Sequence, residues 1–175
     1  DLFIRKKLGI INKLREDNKR LKEQMQEQQK NLQKYAKEYY LMGNECITHM
    51  HDTRAALANY DKAIELYPDY ADAWVRKGVT LFNADRINEA EACLDQAVRL
   101  RPMEFKTVYN RGKLRLHTGD TEGALADLDK ATTLKPQHAG AHECFGDALT
   151  QAGKEMEAAI QYRLAEELRK RKNNS

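Results

Sequence analysis

Two hydrophobic rhythms divide the chain. Over residues 1–35 apolar side chains return at alternating spacings of three and four, on a background of Lys, Arg, Glu, Gln and Asn with no proline and a single glycine, Gly9. With Ile11 at heptad position a, the seam reads Ile11, Leu14, Asn18, Leu21, Met25, Gln28, Leu32 and Tyr35, with Ile4 one heptad earlier. That spacing predicts a long coiled-coil helix of three to four heptads. From about residue 36 a longer rhythm takes over. Ala56, Ala90, Ala124 and Ala158 recur every 34 residues, as do Ala63, Ala97, Ala131 and Ala165; Gly78, Gly112 and Gly146 form a third column, and the three prolines, Pro68, Pro102 and Pro136, a fourth. The unit is a helical hairpin used four times.

Each column has a physical reason. A glycine within a helix costs about 1 kcal/mol relative to alanine, which close approach of two helix backbones can offset. Alanines seven apart present small surfaces on one face of the second helix, and the proline stops that helix and turns the chain. A lone hairpin cannot bury its apolar face, so the repeats stack. The boundaries expected are a coil at 1–35, repeats at about 36–70, 71–104, 105–138 and 139–172, and a polar tail at 173–175. Gly43 sits one residue early relative to Ala56, which predicts an extra residue in the first turn, around His49 to Thr53.

Within 71–104, Trp74, Gly78, Leu81, Ala90, Leu94, Ala97 and Pro102 stand at the spacings of a tetratricopeptide repeat, and the chain resembles that family over roughly four-fifths of its length. The resemblance implies an all-α, right-handed superhelical solenoid of antiparallel helix pairs, with a concave face lined by first helices. It also implies protein binding. In co-chaperones of the family a carboxylate clamp holds an acidic C-terminal tail; its positions here are Tyr40, Asn44, Arg76, Lys106 and Asn110, and only Asn44 and Lys106 match. Starting the clamp one repeat later works less well, with Cys144 in place of its arginine. A standard clamp is not expected.

Aligned on their glycines, the first helices turn Lys37, Tyr40, Asn44, Arg76, Val79, Phe82, Lys106, Tyr109, Asn110 and Lys113 toward the groove, together with Val75, Glu143, Asp147 and Thr150. The middle of that set is basic with aromatics interleaved. It suits an extended peptide with acidic and apolar residues, although a solvated helix face would also be charged. Arg111 replaces the usual apolar residue of its column, and Asp127 falls on the facing helix. The two are expected to pair, the alternative being an Arg111 that snorkels to solvent.

In the N-terminal seam, Asn18 at an a position would meet its twin in a parallel homodimer, and Asp17 at g would pair with Lys22 at e of the other chain. Gln28 and Met25 weaken the seam. A solvent-exposed helix extending the first repeat, or one docking on its own repeats, is the alternative.

Composition narrows the classes. Apolar residues make up 41% of the chain, and no run approaches the roughly 20 apolar residues that a membrane span needs. Three scattered cysteines, Cys46, Cys93 and Cys144, fit a reducing compartment, so a cytoplasmic location is expected. The first residue is Asp, consistent with a piece of a longer protein. Cys46, His49 and His51, and likewise His138, His142 and Cys144, lack the second half of a zinc site, and His142 occupies the column of Trp74, where packing is expected; no metal or cofactor is predicted. Phosphate loops and nucleophile elbows are missing too, so no enzyme is expected. Basic clusters at Arg5 to Lys7 and Arg169 to Lys172 read as solvated helix ends, because 30 basic against 27 acidic residues leave only +3, too little bias for a nucleic-acid surface. The readings that remain are an adaptor with two peptide grooves, a permanent subunit of a larger assembly, and a co-chaperone with a degenerate clamp. On the last helix Ile160, Leu164 and Leu168 would mark a packing edge if more chain or a partner follows.

Overall fold

Helix α1, Leu2–Thr48, is one continuous element, running from the heptad seam into the first repeat without a break at residue 35. The computed structural model describes residues 2–173. Seven more helices follow: α2 (Thr53–Leu66), α3 (Ala71–Asn83), α4 (Ile87–Leu100), α5 (Phe105–Thr118), α6 (Thr121–Leu134), α7 (Ala139–Gln151) and α8 (Glu155–Asn173). Residues 174–175 of the expected polar tail lie outside the described residues. The C-terminal part of α1 pairs with α2, α3 with α4, α5 with α6 and α7 with α8, and each pair packs on the next. The result is an all-helical solenoid led by a long N-terminal helix.

Proline sets where the second helices stop. Tyr67, Arg101 and Lys135 each precede a proline, whose ring excludes them from the helical region; their φ values are −142°, −137° and −136°. Each backbone N–H still closes the last turn onto Ala63, Ala97 or Ala131. Three helix starts are capped by side chains. Asp52 accepts from the Ala55 N–H at 2.9 Å, Asp120 from Gly123 at 3.0 Å, and His138 Nδ1 from Ala141 at 3.1 Å. The first turn holds four residues, 49–52, against three, 84–86, in the second repeat, so the extra residue lies where the Gly43 to Ala56 spacing placed it.

The small-residue columns form the spine of the core. Ala56, Ala90, Ala124 and Ala158 are buried, as are Ala63, Ala97, Ala131 and Ala165. Trp74 Nε1 donates to the Pro68 carbonyl at 2.7 Å, tying a first helix to the preceding turn. His142, in the same column, repeats that contact: Nε2 lies 2.9 Å from the Pro136 carbonyl and Nδ1 2.8 Å from Gln161 Oε1. It is buried, a packing residue with both ring nitrogens within hydrogen-bond distance of an oxygen.

Arg111 does not snorkel. Its Nε and Nη2 donate to the two oxygens of Asp127 at 2.7 Å each, and Nη1 reaches Asp95 of α4 at 3.1 Å. Arg115 Nη1 adds a bond to Asp127 at 3.0 Å. One guanidinium, that of Arg111, thus joins α4, α5 and α6, and its hydrogen bonds to Asp127 raise it above its already high range.

Candidate functional site

Two adjoining cavities open along the first helices. One is bounded by Tyr40, Asp72, Val75, Arg76, Val79, Lys106 and Asn110. Its neighbour is bounded by Asn44, Ile47, Thr48, His51, Tyr60, Thr80 and Asn83, with Arg76 and Val79 shared between the two. Six of the ten groove residues read from the sequence therefore converge here: Tyr40, Asn44, Arg76, Val79, Lys106 and Asn110. The other four lie elsewhere. Lys37 is exposed farther up α1, and Lys113 sits over the Tyr109 ring at 5.6 Å from its centroid. Tyr109 is half-buried, stacked on Phe105 at 5.1 Å with its hydroxyl 3.8 Å from Cys144 Sγ, and burial pushes its phenol well above the usual range. Phe82 packs on the core and meets the His117 ring edge-on at 5.1 Å.

Polar groups in the groove differ in how far they are committed. The Tyr60 hydroxyl donates to Asn44 Oδ1 at 2.9 Å, and the Asn110 amide donates back to the Lys106 carbonyl at 2.7 Å. Lys106 Nζ lies 3.6 Å from Asp72 Oδ1, and Arg101 reaches the other oxygen of Asp72 at 3.7 Å. Arg76 forms no ion pair among the described residues, is exposed, and stands where the cavities meet. Tyr40 is held between Tyr60 and Tyr70, with ring centroids at 6.2 and 5.2 Å. Farther along, Asp147 accepts from the Tyr162 hydroxyl at 2.8 Å, the Thr150 hydroxyl lies 3.2 Å from the same phenol, and Glu143 pairs with Arg169.

Sequence reasoning missed Asp72. It occupies the column of Lys106 one repeat earlier, so opposite charges in neighbouring copies of one column were the available signal. The two matching clamp residues, Asn44 and Lys106, are both engaged within the chain. Among the described residues no three His, Cys, Asp or Glu side chains form a metal-holding group, and no helix is long and apolar enough to cross a membrane.

Known proteins match the repeat columns. Two models described as tetratricopeptide repeat cover residues 49–109 and 80–139. BBSome complex member BBS4 of Xenopus tropicalis is 27% identical over 95 residues, 54% of this chain and 18% of that relative, so the chain spans only a small part of it. An uncharacterized protein of Methanocaldococcus jannaschii is 41% identical over 77 residues, 44% of this chain and 88% of its own. A crystal structure of MamA superposes with a TM-score of 0.72 at 21% identity, covering 80% of this chain and 81% of that one. MamA 41-end from Desulfovibrio magneticus RS-1 gives 0.70 at 24%, covering 80% and 78%. At such identities the likeness is one of fold.

Proposed function

This chain belongs to the tetratricopeptide repeat family, and from that premise we propose a non-catalytic scaffold that holds a partner peptide in its concave groove and joins two copies through the seam of α1. The observation that carries the groove reading is Arg76: an exposed guanidinium with no ion pair among the described residues, beside the apolar Val75 and Val79. Such a site suits an acidic residue next to an aliphatic one, the cation orienting and the partly exposed Val79 providing buried area. Dimerisation raises the overall affinity by linking two grooves.

Affinity capture with the intact chain and with an Arg76→Glu, Lys106→Glu variant tests this. Partners held by the intact chain and lost by the variant identify the ligand; identical partners for both remove the groove from consideration. The co-chaperone reading has less support, since both matching clamp residues already have partners within the chain.

A permanent subunit of a larger assembly is the second reading, favoured by α8. Met156, Ile160 and Leu164 are exposed there. The same columns hold Arg54, Asn88 and Glu122, then Ala58, Ala92 and Ala126, then Lys62, Gln96 and Lys130 in the earlier repeats. The BBS4 relative is itself named as a complex member.

A further inference from the structure

We propose that α1 pairs antiparallel with α1 of a second copy, whose first turns take the place of the second helix that would precede the first repeat. The proposal rests on the dimer reading above and gives it a direction. Its starting point is a column. At the seventh position of a repeat, the first helix faces the second helix of the repeat before it: Lys77 Nζ reaches Asp61 of α2 at 2.6 Å, and Arg111 Nη1 reaches Asp95 of α4 at 3.1 Å. Counted from Ala36, that position in the first repeat is Met42. It is apolar, half-exposed, and no repeat precedes it among the described residues.

The heptad register reaches this point unbroken because α1 is one helix: after Tyr35 at d come Tyr39 at a and Met42 at d. In an antiparallel pair, a positions face d positions. Pairing positions whose numbers sum to 46 sets Ile4 on Met42, Ile11 on Tyr35, Leu14 on Leu32, Asn18 on Gln28 and Leu21 on Met25. In these five pairs apolar residues meet apolar ones and the two amides meet each other, while Lys7 at d falls on Tyr39 at a, its stem against the ring and its ammonium directed to water. Every apolar residue in that set is between 44% and 68% exposed in the single chain. Lys22 approaches its twin at the rim of this arrangement, where both are solvated.

The position of α2 argues against the parallel alternative. It covers Ala36 and Gly43, at e, and Cys46, at a; a Cβ on Gly43 would meet the Tyr60 ring of α2 at 2.5 Å. A parallel pair brings two α2 helices to the same level on that side, forces α1 from its copy just past Tyr35, and leaves Met42 bare. An antiparallel pair puts the two solenoids at opposite ends. It also gives the incoming helix the direction that α2 takes against α3 and α4 against α5.

The test uses the full chain with Cys46, Cys93 and Cys144 replaced by alanine, carrying Leu14→Cys or Leu32→Cys. Sedimentation equilibrium should show a dimer for each. Under mild oxidation neither variant alone should cross-link, because position 14 and its twin lie about 27 Å apart at about 1.5 Å per residue, whereas an equimolar mixture should. Met42→Glu should weaken the dimer at least roughly tenfold. Cross-linking by Leu14→Cys alone overturns the antiparallel pairing in favour of the parallel one, and a dimer in which neither the single variants nor the mixture cross-link overturns it by placing the contact off this seam. A monomer at high micromolar concentration removes the dimer reading itself and this proposal with it.

Discussion

Asp127 shows how much one side chain can organise. Its carboxylate is almost wholly buried and accepts from Arg111 twice and from Arg115 once. A buried ion pair adds modest net stability, but removing one partner leaves the other charges stranded. Asp127→Ala should therefore cost about 3 kcal/mol, read as a lower denaturation midpoint at unchanged slope, while Asp52→Ala at an exposed cap should cost about 1 kcal/mol. Tyr70 makes a second residue-level case. Burial pushes its phenol from the ordinary value of 10.0 up to about 12, with Tyr40 and Asp72 adding to the effect and Arg101 opposing it. A raised folded-state pKa means that this contribution to stability is intact below pH 10 and is lost as pH climbs toward 12. Ultraviolet titration should find a late-ionising phenol that Tyr70→Phe removes, and the alkaline loss of stability should shrink with it.

Helix against helix, the glycine column does the positioning. A Cβ on Gly78 would stand 2.8 Å from Leu94 Cγ and 3.3 Å from the Ala90 carbonyl, and Leu94 is too buried to yield. Overpacking of that kind costs about 1–3 kcal/mol, more than the roughly 1 kcal/mol that alanine returns in helix propensity. Gly78→Ala should lower the thermal midpoint. Gly9 lies in open space on the same type of element, so Gly9→Ala should raise α1 helicity at 222 nm. The two substitutions are identical in chemistry and opposite in sign. The glycine column and its 34-residue period were legible from sequence because sterics at a helix crossing permit only the smallest residue. Which neighbour enforces that limit was not legible, since Leu94 comes from the opposite helix.

At the scale of the molecule, a solenoid is stabilised by neighbouring repeats in turn, so its two ends carry what the interior cannot reveal. The face of α8 bearing Met156, Ile160 and Leu164 matches columns that hold only small or polar residues in the earlier repeats, and those residues are exposed or half-buried there. Met156→Lys, Ile160→Glu and Leu164→Lys together should leave the unfolding free energy within about 0.5 kcal/mol per site. If the chain is a permanent subunit, the same variant should lose its place in the assembly; if it is a groove-dependent adaptor, capture should be unchanged.

Sequence alone determined the repeat, its period and the helix stops, which follow from local sterics, the heptad spacing of apolar residues, which runs along one helix, and the Arg111–Asp127 pair, which follows from the fixed offset between the two helices of one hairpin. Tertiary structure decided the rest. It set Asp72 against Lys106, turned Asn44 toward Tyr60, drew Tyr109 and Phe82 partly into the packing, and left Arg76 without an ion pair among the described residues at the meeting of two cavities. It also showed that the N-terminal heptad stretch and the first repeat share one helix, so that the heptad spacing continues to Met42. Those outcomes depend on which side chains from different repeats arrive at the same place, and a column read one repeat at a time does not contain that information.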